Sequence, residues 1–188
     1  RAYLSEFRKR HSVDQIKEYV DRIADLKVLI VGETIIDEYL YCQAIGKSGK
    51  EPILAVKRTR AEKFAGGTVA VANHVANLVG KTGLATILGT HNTQEDFILE
   101  SLDQRVDFRP SYREDSPTIV KQRFIEDYFF SKLMAVYDFN DSPLLEHDDE
   151  KFCASLRKIL PEYDVVVAVD YGHGTMTEGV IELLSSEA

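Results

Sequence analysis

The sequence is short of several features that would each have pointed to a class. Its 188 residues include only two cysteines, Cys42 and Cys153. Neither stands in a Cys-x-x-Cys pair or a Cys/His ligand spacing, which argues against a zinc module or a dithiol redox motif. Isolated thiols fit a reducing compartment, and the cytoplasm is the expected location. No run reaches the about 18 apolar residues of a membrane helix, and no charged-then-apolar signal segment opens the chain, so no membrane partner is expected. G-x-G-x-x-G and G-x-x-x-x-G-K-[ST] are both missing, which argues against a dinucleotide fingerprint and a P-loop. Positive charge is scarce too: 23 Lys and Arg against 31 Asp and Glu leave a net charge of -8. Nucleic acid is therefore not an expected partner, because neutralising phosphates takes clustered Lys and Arg.

What is present suits one domain of ordinary size, with 44% hydrophobic and 29% charged residues, enough to bury a full core. Ser12 can cap a helix whose apolar positions Ile16, Tyr19, Val20, Ile23 and Leu26 make one stripe, so residues 1–26 read as a helical linker docked on the domain. The chain opens on Arg1 rather than Met, and a preceding segment is expected. Lys27 to Val31 is a continuous apolar run ended by Gly32, the pattern of a central parallel strand covered on both faces.

Two β-prone runs, Tyr39 to Ile45 and Ile53 to Arg60, flank the turn-forming stretch Gly46 to Pro52 and predict a hairpin. A second hairpin is expected between Thr118 to Ile125 and Lys132 to Tyr137. Both alternate apolar with polar residues, which suits a half-exposed lid outside the core. Helices are expected over 68–79, 95–104, 148–160 and 177–185, and further strands over 84–88, 106–109 and 164–169, the last of them another buried strand. This alternation predicts an α/β doubly wound sheet over 27–188, with lid hairpins near 39–60 and 118–138. The densest acidic stretch, Glu146 to Glu150, reads as a solvated helix start favoured by the helix dipole.

Strand ends in open α/β sheets face the ligand crevice. Asp37, five residues after Gly32, can therefore accept hydrogen bonds from two adjacent substrate hydroxyls, although a turn or capping role fits its spacing as well. Gly66 and Gly67 precede a helix and would let a ligand approach its free N-H groups, or would simply make a tight turn. Asn73, inside that helix, needs a partner: either a ligand or a buried backbone group. Lys121 and Arg123 alternate with Val120 and Phe124, so both project from one strand face, to grip a phosphate or to meet solvent. Asp170 and His173, in the turn Asp170-Tyr-Gly-His-Gly174, sit at the crevice edge. His173 alone makes no metal site, and none is expected.

In this order, Val31-Gly-Glu-Thr-Ile-Ile-Asp37-Glu-Tyr39, Gly66-Gly67 with its small-residue helix, Pro117-Thr-Ile-Val-Lys-Gln-Arg123 and Val169-Asp-Tyr-Gly-His-Gly174 resemble the ribokinase-like (PfkB) carbohydrate kinases. Within that family they are most similar to the heptose 7-phosphate kinase-like domain of bifunctional RfaE-type proteins. The match covers about the first half of that fold. The family often has Asn where this chain has Ala70, so an amide contact would fall to Asn73.

The resemblance implies ATP- and Mg2+-dependent phosphoryl transfer to a hydroxyl of a sugar or sugar phosphate in an intact parent. Asp37, Gly66, Gly67 and Asn73 would hold the sugar, Lys121 and Arg123 a substrate phosphate, and Asp170 and His173 would border the phosphates. The Gly-Ala-Gly-Asp loop that supplies the catalytic base is expected beyond Ala188, so no catalytic residue falls within this chain. A nucleotidyltransferase domain in the same parent and a homodimer through the lid are further implied. The alternative is a non-catalytic sugar-phosphate binding or interaction domain.

Overall fold

The computed structural model describes residues 2–187. Two helices come first, α1 (Ala2–Arg10) and α2 (Val13–Ile23). The strand β1 (Lys27–Lys47) then runs unbroken for 21 residues. It is followed by β2 (Leu54–Gly67), α3 (Thr68–Val75), β3 (Lys81–His91), α4 (Glu95–Ser101), β4 (Val106–Pro117), β5 (Ile119–Glu126), β6 (Lys132–Asp138), α5 (Glu146–Ile159), β7 (Val165–Val169) and α6 (Glu178–Glu187).

β1 belongs to two sheets. Its first part, through Glu33, is the third strand of a parallel sheet ordered β4-β3-β1-β7. From Thr34 onward it lies between antiparallel β2 and parallel β5, with β6 beyond β5, and these four strands form the lid sheet. Gly32 was expected to end the strand. Instead it keeps it running, at φ +150° and so close to Val169 that a Cβ would lie 1.9 Å from that residue's carbonyl oxygen. Only glycine admits this approach, and β7 is thereby drawn against β1.

Alternation along β1 divides the core. Leu29 and Val31 meet Phe152, Leu156, Val180 and Leu183 from α5 and α6. Val28 and Ile30 meet Val69, Ala72, Leu84 and Ile98 on the side of α3 and α4. Helices on both faces of a parallel sheet are what a continuous apolar strand requires, and the doubly wound α/β architecture is the one expected. Lys27 and Asp164 clamp the start of β1 to β7: the Lys27 amide donates to Asp164 Oδ2 at 2.9 Å and the Asp164 amide to the Lys27 carbonyl at 2.8 Å.

Two further expectations need correction. α2 forms with the anticipated cap, since Ser12 and Gln15 close a reciprocal capping box. Its apolar stripe, however, is open to solvent: Tyr19 and Val20 are 55% and 54% exposed and no residue of α2 is buried. The segment touches the domain at its end, where the Leu26 carbonyl accepts from the Gly80 and Lys81 amides. β7 was expected to be fully covered but is half-exposed, because among the described residues it has β1 on one side and no strand on the other.

Candidate functional site

Register places three of the expected site residues, Asp37, Lys121 and Arg123, on one face of the lid. Asp37 is opposite Phe64 of β2 and Lys121 of β5, and Tyr39 is opposite Glu62 and Arg123. Side chains of directly paired residues share a face. One surface therefore carries Asp37, Tyr39, Phe64, Lys121 and Arg123, and Asp37, Tyr39, Tyr41, Glu62 and Phe64 line a groove on it. The opposite face takes Ile36 and Val120 into the core.

The Asp37 carboxylate is the centre of this face. Arg123 donates to Asp37 Oδ1, and its guanidinium also lies 5.5 Å from the centre of the Tyr39 ring. The pairing with Asp37 raises the Arg123 pKa, against the burial that would lower it. Gly66 passes beneath the other carboxylate oxygen: a Cβ there would lie 2.7 Å from Asp37 Oδ2. Gly67 caps α3 at φ +57°, with Glu33 O 2.4 Å from where a Cβ would stand. The pair thus makes the tight turn into α3, and Gly66 also leaves room for the Asp37 carboxylate.

Lys121 reaches the other way. Its Nζ lies 2.9 Å from His173 Nε2 and 5.9 Å from the centre of the Tyr137 ring. An ammonium only donates, so His173 accepts at Nε2 and carries its proton on Nδ1. Nδ1 is buried without a hydrogen-bond partner, and the ring leans on Phe139 at 4.9 Å between centroids. Burial first, and the Lys121 charge second, push the His173 pKa below its usual 6.5. The imidazole is therefore neutral at physiological pH.

The loop carrying His173 is fixed by a residue that sequence reasoning did not single out. Glu33, 1% exposed, accepts the Tyr171 amide on Oε2 at 2.6 Å, and the His173 and Thr175 amides on Oε1 at 3.1 and 3.4 Å. A buried carboxylate must be matched by donors, and here three backbone amides supply them. The signal was present: a lone charge inside the buried run Val28 to Ile36 must serve something. Next to it Thr34 bonds Thr86 at 2.9 Å and Thr68 at 3.3 Å, tying β1 to β3 and to the start of α3.

The structure brings together Asp37, Gly66, Gly67, Lys121, Arg123 and His173. Asp170 sits exposed at the end of β7, with Oδ1 accepting the Gly172 amide at 2.7 Å. Asn73 does not join them. Its Nδ2 donates to the Ser101 carbonyl and its Oδ1 accepts the Asp103 amide, both at 2.8 Å, so the side chain ties α3 to the loop after α4. Of the two partners open to Asn73, the backbone is the one it found. Among the described residues there is no glycine-rich phosphate loop of the G-x-G-x-x-G or G-x-x-x-x-G-K-[ST] kind.

No family model matches the sequence. Curated relatives do: bifunctional HldE proteins from Shewanella piezotolerans, 28% identical over 87% of this chain, and from Chromohalobacter salexigens, 30% identical over 80%. The chain spans about a third of the length of these relatives, 33% and 31% respectively. Among solved structures, phosphofructokinase-2 from Escherichia coli superposes on 85% of this chain with TM-score 0.57 and 16% identity, and 50% of that chain is covered. A carbohydrate kinase from Agrobacterium tumefaciens superposes on 76% with TM-score 0.52 and 17% identity, and 45% of that chain is covered. The chain therefore has the ribokinase-like fold of the PfkB sugar kinases and resembles, over most of its length, the bifunctional HldE proteins.

Proposed function

We propose that this chain is the sugar-binding portion of a carbohydrate kinase that uses ATP and Mg2+ to phosphorylate a hydroxyl of a sugar or sugar phosphate. The carrying observation is the Asp37 carboxylate, held at the lid face by Arg123 and left uncovered on its Oδ2 side by Gly66. A carboxylate so placed can accept hydrogen bonds from two neighbouring hydroxyls, and the Arg123 and Lys121 cations beside it suit a phosphate on the same substrate. Binding of this kind contributes by orienting the reacting hydroxyl. Asp170 would stand near the transferred phosphate.

In this reading residues 1–26 link and 27–188 form the kinase portion, with the lid made by the strands near 39–60 and 118–138. A nucleotidyltransferase domain in the same parent is proposed from the bifunctional HldE relatives. A homodimer through the lid is proposed because Phe64, Met134, Val136 and Tyr137 are exposed on strands with open edges. No helix among the described residues is long and apolar enough to cross a membrane, and the proposed location is the cytoplasm.

The test is phosphorylation by the full-length source protein against a panel of sugars and sugar phosphates, with and without ATP, comparing wild type with Asp37→Ala. ATP-dependent turnover that is lost in the variant supports the proposal. Turnover undiminished by Asp37→Ala removes the site assignment, and saturable sugar-phosphate binding without turnover replaces the kinase with a binding module.

A further inference from the structure

A second cluster lies away from the lid face, where the end of β4 meets the start of α5. Glu114, His147 and Asp148 each offer one ligand atom, all within 4.8 Å of one another. His147 Nε2 stands 3.2 Å from Asp148 Oδ1 and 3.5 Å from Glu114 Oε2. Two donor atoms bound about 2.1 Å from a tetrahedral ion lie about 3.4 Å apart, so these spacings match.

Asp148 sets this apart from a chance surface group. It is 3% exposed, and its Oδ1, the oxygen aimed at the cluster, makes no hydrogen bond. His147 Nε2 is near it without making a hydrogen bond to it. The other oxygen, Oδ2, accepts the Glu114 amide at 3.3 Å, which orients the carboxylate as an outer hydrogen bond orients a metal ligand. A buried carboxylate oxygen without a partner is costly unless a cation or donor completes it. Two carboxylates and a neutral imidazole balance a divalent ion. The imidazole selects zinc-like ions over Mg2+ and Ca2+, which take oxygen ligands.

We infer that Glu114, His147 and Asp148 form a binding site for a zinc-like divalent cation that pins the end of β4 to the start of α5. Two cations stand against it. Lys151 lies 3.1 Å from Glu114 Oε1 and 4.0 Å from Asp148 Oδ1, but its side chain is 61% exposed and can swing into solvent. Arg113 is buried beside Asp148, with its guanidinium already donating to the Asn140 and Pro143 carbonyls. The expectation that no metal binds rested on Cys and His spacing, and this set escapes that rule because its ligands come from a strand end and a distant helix start.

The experiment is titration of the full chain with Zn2+ against a chromophoric chelator, with Mg2+ present in excess throughout. The expected result is one ion per chain, at least about tenfold weaker binding in His147→Gln and in Asp148→Asn, tighter binding in Lys151→Met, and a raised melting temperature of the wild type with Zn2+. His147 is 45% exposed in its side chain, so His147→Gln stays interpretable even if Asp148→Asn fails to fold. Absence of Zn2+ uptake, or uptake unchanged in His147→Gln, overturns the assignment.

Discussion

Gly66, paired with Ile35 across β1 and β2, passes so close to Asp37 that the glycine's missing Cβ would stand 2.7 Å from the carboxylate's Oδ2 and 3.2 Å from the Ile35 carbonyl. In Gly66→Ala the flexible carboxylate gives way before the backbone does. Sugar-phosphate affinity, measured by calorimetry, is expected to fall at least about tenfold while stability drops by no more than the about 1–3 kcal/mol of an overpacked position. Unchanged affinity would show that the carboxylate's place on the lid face does not matter for binding.

Gly67 behaves differently because its neighbours are backbone. At φ +57°, with the Glu33 carbonyl oxygen 2.4 Å from a would-be Cβ, Gly67→Ala is strained in conformation and blocked in space. A loss of about 1–3 kcal/mol or more is expected, read as a lower urea midpoint with unchanged slope. A midpoint equal to wild type would contradict the turn geometry.

Asn73→Ala separates architecture from recognition. It removes two hydrogen bonds to the Ser101 and Asp103 backbone, and the stranded groups should cost about 1–3 kcal/mol. Sugar-phosphate affinity should stay as in wild type. A specific loss of affinity at unchanged stability would return Asn73 to the binding face.

The lowered pKa of His173 makes a statement about acid. The unfolded chain takes up a proton on this residue near pH 6.5, whereas the folded chain does so only at lower pH. Stability from this group is therefore full above 6.5 and is lost as pH falls through the window below it. Urea midpoints followed from about pH 7.5 to about pH 5.5 should decline more in wild type than in His173→Gln. Parallel declines would show that the imidazole is not held neutral.

Much of this architecture was legible because periodicity reports which faces are covered. The apolar run from Lys27 to Val31, the two alternating hairpins and the helix after Gly66-Gly67 are all where they were read. The lid face was legible for the same reason, since Lys121 and Arg123 had to share a side. What failed was punctuation. Gly32 looks like a stop, but its conformation serves close strand approach, which depends on Val169, far along the chain. Asn73 carried a correct demand for a partner without saying which of two would meet it. Tyr19 and Val20 form the stripe of a buried helix face yet meet no partner among the described residues, since amphipathicity states a need and not its fulfilment.

The sharing of β1 between two sheets also bears on the order in which the chain can assemble. Val28 to Gly32 pairs with Thr82 to Thr86 on one side and with Val165 to Val169 on the other, while Ile35 to Cys42 pairs with residues 119–126. A strand made early thus waits for partners made much later, and closing such distant pairings is slow. During synthesis the lid pairing can form once Glu126 has emerged, but the apolar edge of Val28 to Gly32 stays open until Val169 appears. In that interval a newly made chain presents a bare strand edge to its surroundings, where chaperones or premature association compete for it.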